Sequence, residues 1–461
     1  MFRIAGGRAE NPGNQIAWGR GAAAALHGSG KGNRLLGLSV IVLFCALLAL
    51  RVPVCMSMLV ASAAVILLLD VPLLVIPQYL IHGLSNFELV AIPFFILAAE
   101  IMNSGGLTRR IFRFGEVCVG WIAGGLAQVS VVASMIFAGI SGTAVADAAG
   151  LGRLQVKAMR QAGYDPGFAA AITISASLIG PLIPPSVIGI VYAVAAEVSV
   201  GKMLLAGVGP GLLLGATLMV FCYVLARSGR YPCPVRPYPT RREFVAALWQ
   251  GLPALLAPAV ILSLIISGVA TATEAGVVAT FYSLAVSVLI YRELTWKGFA
   301  QVIARSLLSS GMVMFLIATA TLMSWIVTRE QAGLQAAVWF AGLSDQRWLQ
   351  LLWINIFLTI VGTVLEGVPA LLILVPVLLP IALKIGVDPI HFGIILIFNL
   401  LIATVSPPMG VVLFAVANFA GLPMGEIVRA LLPFFVPLAA TLLLITYVPA
   451  LTLWLPNLLL K

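Results

Sequence analysis

The sequence predicts an all-α polytopic membrane protein made of two inverted-topology repeats, each with a re-entrant hairpin and a broken helix. Three observations carry this reading. Of the 461 residues, 61% are hydrophobic and 9% charged, whereas a soluble domain carries about 25% charged residues. Apolar stretches of spanning or near-spanning length recur along the chain. And one unusual pattern occurs twice: Gly163-Tyr164-Asp165-Pro166 precedes Leu182-Ile183-Pro184-Pro185-Ser186, and Gly386-Val387-Asp388-Pro389 precedes Thr404-Val405-Ser406-Pro407-Pro408. Asp165 to Pro184 and Asp388 to Pro407 are each 19 residues, and the copies are offset by 388 − 165 = 223. The same offset maps Gly139 to Gly362, Ile174 to Ile397, Leu178 to Leu401 and Pro210 to Pro433. A Pro-Pro pair removes two backbone donors and breaks a helix at membrane depth. Matching breaks in two halves point to the binding site of a secondary transporter.

In chain order, residues 1–34 are a basic, Gly/Ala-rich extension, expected to be a disordered tail, with Arg3, Arg8, Arg20, Lys31 and Arg34. The expected spans are Leu35–Leu50, Val52–Leu69, Leu89–Met102, Met203–Ala226, Leu252–Val269, Gly276–Tyr291, Leu307–Val327 and Leu431–Leu455. Arg227, Arg230, Arg236, Arg241 and Arg242 mark a cytoplasmic loop, 227–250. It separates a first repeat, 35–226, from a second, 251–461. Basic residues flank Val117–Met159 on both sides: Arg109, Arg110 and Arg113 before it, Arg153, Lys157 and Arg160 near its end. If both flanks are cytoplasmic, this segment enters and leaves on one side. It is then a hairpin, about 117–160, with its tip at Gly139-Ile140-Ser141-Gly142-Thr143, followed by a broken span at about 167–198. The offset places a second hairpin at about 348–384, its tip near Gly362-Thr363 and Glu366-Gly367, and a second broken span at about 390–419. Five full crossings per repeat turn the second copy upside down. The count puts both termini outside, against the basic character of 1–34. If Pro72–Leu84 spans instead of lying at the interface, the N-terminus is inside.

The net charge of +10 resides in loops between spans and carries no nucleic-acid motif. The five cysteines show no metal or disulfide spacing, and no cofactor is expected.

Chemistry is expected where hairpin tips meet helix breaks. Freed carbonyls and hydroxyls suit a small hard cation, and half-helix N-termini suit an anion. The first repeat offers Ser141, Gly142, Thr143, Gly180, Pro184 and Ser186; the second offers Gly362, Thr363, Thr404, Ser406 and the backbone of Met409. Neutral oxygens favour Na⁺ over a transition metal, which would want His or Cys. The competing reading is that these hydroxyls cap broken helix ends. Asp147, one turn past the first tip, has three readings: cation ligand, proton relay, or partner of Arg153. Glu366 has the same ambiguity, and Pro185 and Pro408 join these acids as substrate or coupling candidates. Asp165, Asp388 and Glu274 read as helix caps. Gly139-Ile140-Ser141-Gly142 also matches a pattern found at the nucleophile of intramembrane serine proteases. That chemistry needs a base, for which His391 is the candidate.

At these residues the chain resembles the large, dicarboxylate-type membrane subunit of tripartite ATP-independent periplasmic (TRAP) transporters. The matching runs are Ala91-Ile92-Pro93-Phe94-Phe95-Ile96-Leu97-Ala98-Ala99-Glu100 with Met102, Gly105-Gly106, Gly124-Gly125-Leu126-Ala127, and Ile140-Ser141-Gly142-Thr143-Ala144-Val145-Ala146-Asp147. They continue through Gly163-Tyr164, Ile183-Pro184-Pro185-Ser186, Ala206-Gly207 with Pro210-Gly211, Thr273-Glu274-Ala275, His391-Phe392-Gly393 with Asn399, and Ser406-Pro407-Pro408-Met409-Gly410. The resemblance covers roughly residues 35–455. It implies an elevator-type, Na⁺-driven importer of organic acid anions in the bacterial inner membrane. Such a subunit works with a small four-helix membrane subunit and a periplasmic binding protein. Departures from the family pattern at Thr143, Ser406 and Ala270–Thr273 keep a hydroxyl in each case. A self-sufficient Na⁺/anion carrier is the alternative.

Overall fold

The computed structural model describes residues 36–50, 52–229, 231–330, 346–363, 365–407 and 410–460. The expectation for residues 1–34 lies outside them. Among the described residues there is no strand. The first helices are α1 (Leu36–Ala49), α2 (Val54–Leu68), α3 (Val75–Leu84), α4 (Ala91–Ser104) and the amphipathic α5 (Leu107–Val119). The first hairpin follows as α6 (Leu126–Ser141), a single turn Ala144–Asp147, a π-helical turn Ala148–Gly152 and α7 (Arg153–Gln161). The first broken span is α8 (Pro166–Ser177) and α9 (Val187–Ala195), followed by α10 (Val200–Ala206) and α11 (Val208–Arg227).

The second copy opens with α12 (Arg241–Ile266), α13 (Ala272–Ala285) and the long α14 (Trp296–Arg329). Its hairpin is α15 (Arg347–Gly362) with α16 (Gly367–Lys384), and its broken span is α17 (Pro389–Thr404) with α18 (Val411–Ala420). The chain ends in α19 (Met424–Leu431), α20 (Phe435–Tyr447) and α21 (Ala450–Leu459). Seven helical stretches among the described residues are long and apolar enough to cross a membrane, and several shorter apolar helices accompany them.

Helix starts are set by local chemistry. Asp165 Oδ1 accepts from Phe168 N at 2.8 Å, and Asp388 Oδ1 from Ile390 N at 2.8 Å and His391 N at 3.1 Å. Each acid precedes a proline at the first helical position, where the missing N–H costs nothing. Both broken spans therefore begin at equivalent points, since 389 − 166 = 223. Thr271 and Glu274 form a reciprocal capping box at the start of α13, with bonds of 2.7 Å and 3.3 Å. These acids are caps, as the sequence suggested.

One difference between the copies lies at α14. The 34 residues of α14 span about 51 Å without interruption. Their counterpart in the first copy is divided into α3, a 3₁₀ turn at Phe87–Val90 and α4. Pro72–Leu84 thus contributes a helix that lies along α14: Tyr79 stacks on Trp325 at 4.8 Å, and a Cβ on Gly83 would be 2.6 Å from Thr321 Oγ1.

The helices can be described as two groups that also pack on each other, α14 against α16 and α4 against α6. A frame consists of α1 to α4 with α12, α13 and α14; α13 lies against α4, and α14 against α2, α3 and α4. A second group holds both hairpins, both broken spans, α10, α11 and α19 to α21. The chain passes between the groups through α5, through the segment joining α11 to α12, and between α14 and α15.

Candidate functional site: two tips and two breaks

The first tip rests on the first break. At the end of α6, Gly142 turns the chain with φ +64°, a left-handed setting in which a side chain is strained. A Cβ there would also lie 2.4 Å from Pro185 O, while Val187 N–H donates to Gly142 O at 3.3 Å. Glycine is required for backbone to meet backbone at this point. Between α8 and α9, residues Leu178–Pro185 carry no regular helix, and Pro184 and Pro185 remove two donors.

Asp147 is the ionisable group at this junction. Its side chain is buried, and Oδ1 accepts a hydrogen bond from Ser141 Oγ. Its Oδ2 is buried with no hydrogen-bond partner among the described residues. Gly180, in the break, lies directly against that oxygen: a Cβ there would be 2.5 Å from it. The suggested pairing with Arg153 is not what the fold provides. Ser141 is the partner, and the Arg153 guanidinium sits 5.7 Å from the Phe419 ring centroid instead. The reason is geometric: the π turn Ala148–Gly152 separates the acid from the helix that carries Arg153.

The second tip packs on the helix that leads into the second break, through side chains and not backbone. A Cβ on Gly362 would be 2.6 Å from Ala403 Cβ near the end of α17. Glu366 begins α16 without a side-chain cap bond, and it is exposed. Past α17, the carbonyls of Thr404 and Ser406 converge on Gly410, where a Cβ would lie 2.9 Å and 3.0 Å from them. Pro408 and Met409 lie outside the described residues. The two halves also touch each other: α9 packs on α16 and α17, and α18 packs on the turns that hold Asp147. Direct helix contacts therefore link the two tip-and-break centres.

The hydroxyls divide by role. Thr143 Oγ1 accepts from Ala146 N at 3.2 Å, and Ser186 Oγ accepts from Gly189 N at 3.0 Å; both are N-caps. Ser186 also donates to Pro181 O. Thr363, Thr404 and Ser406 each donate to a carbonyl three or four residues back, at 2.7 Å, 2.7 Å and 2.8 Å. With the hydrogen engaged there, the oxygen lone pairs of these three stay available to a cation.

The two centres are not chemically equal. The offset pairs Thr143 with Glu366, both at the N-cap of the outgoing hairpin arm, but pairs Asp147 with Ala370 and Ser186 with Met409. The buried acid belongs to the first copy alone.

One polar network escaped the sequence reading. Asn399 Nδ2 donates to Asn355 Oδ1 at 2.6 Å, Thr359 Oγ1 to Asn399 Oδ1 at 3.0 Å, and Asn355 Nδ2 to Thr446 Oγ1 at 3.1 Å. His391 joins it, with Nδ1 2.8 Å from Thr452 Oγ1 and Nε2 3.3 Å from Thr446 O. It ties α15 to α17, α20 and α21. Two asparagines inside apolar helices were the available signal, because buried amides are expensive without partners. The network also removes the protease reading: His391 is held by Thr446 and Thr452, and Ser141 faces Asp147. Among the described residues no group of three or more His, Cys, Asp or Glu could hold a metal ion.

Paired hairpins and paired helix breaks in an all-helical, membrane-length fold define a secondary transporter. Known proteins agree. The family described as the tripartite ATP-independent periplasmic transporter, DctM component, matches residues 41–451, and the chain belongs to this family. It is 40% identical to the sialic acid TRAP transporter large permease protein SiaM of Vibrio cholerae, over 83% of this chain and 89% of that one. It is 42% identical to the C4-dicarboxylate large permease DctM of Pseudomonas aeruginosa, over 81% and 87%. For the 2,3-diketo-L-gulonate large permease YiaN of Escherichia coli the identity is 37%, over 87% and 94%. Among solved structures, the YdaH transporter of Alcanivorax borkumensis aligns with a TM-score of 0.59 at 17% identity, over 81% of this chain and 87% of that one, a likeness of fold alone. The protein is a multi-pass inner-membrane transporter subunit and not an enzyme.

Proposed function

We propose that this chain is the permease of a Na⁺-coupled, tripartite importer of organic acid anions. The observation that carries it is Asp147 Oδ2: buried, without a hydrogen-bond partner among the described residues, and pressed against Gly180 in a helix break. A buried carboxylate is costly unless something compensates it. A cation arriving with the substrate would do so, and the surroundings fit Na⁺: hydroxyls and freed carbonyls, with no thiol or imidazole. Na⁺ is here a co-substrate. In the first centre Ser141, Gly142, Gly180 and Pro184 would supply oxygens, with Thr143 and Ser186 shaping the loop as caps. In the second, Gly362, Thr363, Thr404, Ser406 and the Met409 backbone would do so.

The named relatives handle sialic acid, C4-dicarboxylates and 2,3-diketo-L-gulonate, all carboxylates. The N-terminal ends of α9 and α16 lie side by side, a Cβ on Gly367 falling 3.4 Å from Ile188 Cδ1, and their dipoles favour such an anion. Pro185, Glu366 and Pro408 are the coupling candidates beside Asp147. The second group of helices would move as an elevator against the frame. A small membrane subunit would support the frame, and a periplasmic binding protein would deliver the anion.

Reconstitution tests this reading. Uptake into proteoliposomes should require the small subunit, the binding protein and Na⁺ together. Uptake that persists without the binding protein would favour a self-sufficient carrier. The inverted arrangement has its own test in single-cysteine labelling of a Cys-free background. Positions 232–238 and 295–298 should react from the cytoplasm, and Gln346 and Arg347 from outside. Labelling of 232–238 and 346–347 from the same side would break the inversion.

A further inference from the structure

The frame and the hairpin group are joined on one side by α5, and the two ends of that helix are held differently. Its first turns are fixed to the frame. Arg110 Nη1 bonds Glu293 Oε1 at 2.8 Å, and its guanidinium lies 3.7 Å from the Tyr291 ring centroid. Its last turn is fixed to the extended segment that leaves α11. Arg236 Nη2 bonds Glu116 Oε1 at 2.8 Å, and Arg236 N–H donates to Gly120 O at 3.0 Å. Between that turn and α6 the chain passes through Gly124 at φ +104° and Gly125 at φ +44°. Both settings favour glycine, so the backbone here can swivel where other residues would resist.

The side chain that closes this joint comes from elsewhere. Tyr164, just before α8, is buried, and its hydroxyl accepts from Leu126 N–H at 3.0 Å. Its single proton has two acceptors in reach, Pro234 O at 2.8 Å and Gly124 O at 3.1 Å. The fit is close: a Cβ on Gly125 would lie 2.5 Å from the phenol oxygen and 2.2 Å from Pro234 O. One hydroxyl therefore joins the glycine joint, the start of the hairpin, the first broken span and the strap between the two repeats.

We infer that Tyr164 is a positioning residue for transport: its hydroxyl latches the Gly124–Gly125 joint, and so governs how fast the hairpin group shifts against the frame. The inference rests on the transport reading above. It places the pivot between Arg113, on the frame side, and Leu126, on the hairpin side. The latch touches neither tip nor break, so it should alter the rate of movement and leave ion and substrate recognition alone.

Tyr164→Phe removes the hydroxyl and keeps the ring that stacks on Phe168 at 6.4 Å. Two readings on the complete three-component assembly decide the matter. Hydrogen exchange at Leu126 and its neighbours should quicken by about tenfold, the effect of one lost hydrogen bond, with exchange within 166–177 unchanged. The maximal uptake rate should change by a similar factor, with half-saturating Na⁺ and substrate concentrations as in the wild type. Arg236→Ala, which frees the strap from Glu116, should move the maximal rate in the same direction by less. Unchanged exchange at Leu126 would overturn the latch whatever the transport data show. Faster exchange with an unchanged maximal rate would reduce Tyr164 to a structural tie, and a shift in half-saturating Na⁺ would place its action at the ion site. Wild-type uptake that ignores Na⁺ would count against the coupling reading and not against the latch, which is judged on the difference between wild type and variant.

Discussion

Asp147→Asn should raise the Na⁺ concentration for half-maximal uptake by about 100-fold or more. The substitution keeps shape and removes charge. If the carboxylate faces a bound cation, the loss is that of one partner in a buried pair, about 3–5 kcal/mol. At about 1.4 kcal/mol per tenfold that exceeds two orders of magnitude. Gly180 leaves no room for a larger group beside Oδ2, so Asp147→Glu should fail almost as completely although it restores the charge. That second variant separates geometry from electrostatics. The outcome that would sink the idea is a normal Na⁺ response in Asp147→Asn. If uptake instead runs undiminished on a proton gradient without Na⁺, the acid is a proton carrier, and Glu366 becomes its natural counterpart at the other tip.

Much of this site was legible in the sequence because its signals are local. Asp-Pro starts and Pro-Pro breaks fix helix ends over a few residues, and they recur at one offset, so α8 and α17 begin where the sequence placed them. Gly142 and Gly362 were legible for the same reason, each standing at the end of an apolar run next to small polar residues. The capping roles of Asp165, Asp388 and Glu274 follow from spacing alone.

What was not legible depends on residues that meet from afar. Nothing local says that Asp147 turns to Ser141 and not to Arg153. That choice is set by a π turn whose sequence, Ala-Ala-Gly-Leu-Gly, has no distinctive pattern. Asn355 and Asn399 are 44 residues apart, and His391 and Thr452 are 61 apart; each is unremarkable until its helix is packed. The division of the α14 counterpart into α3 and α4 was half visible. Pro72–Leu84 was read as a segment of its own, interfacial or spanning, and the break that separates it from α4 falls after Leu84, where Asn86 caps a 3₁₀ turn by accepting from Glu88 N. Tyr164 was visible as part of a motif, yet its three partners come from the joint and the strap, well outside that motif.

Ser141→Ala and Ser406→Ala ask which oxygens make the ion site, and the geometry now separates them. Ser141 donates to Asp147, so alanine leaves the buried carboxylate with neither oxygen hydrogen-bonded. A lost hydrogen bond to a charged group is worth about 1.5–3 kcal/mol, which should raise half-saturating Na⁺ by about 10- to 100-fold. Ser406 gives its hydrogen to Ile402 O at 2.8 Å, so the carbonyl it serves also belongs to the last turn of α17. Alanine there removes one neutral ligand, and a rise at the lower end, about tenfold, is expected. Measured together, Na⁺ titration of uptake and thermal unfolding distinguish ligand from cap. A ligand loses Na⁺ affinity while the Na⁺-free protein keeps its melting temperature. A cap lowers the melting temperature with Na⁺ dependence intact, as Thr143→Ala should at the N-cap of the turn that carries Asp147. If Ser406→Ala behaves as a cap does and Ser141→Ala does not, the second centre relies on the carbonyls of Thr404 and Ser406 that converge on Gly410, and the one charged ligand sits in the first.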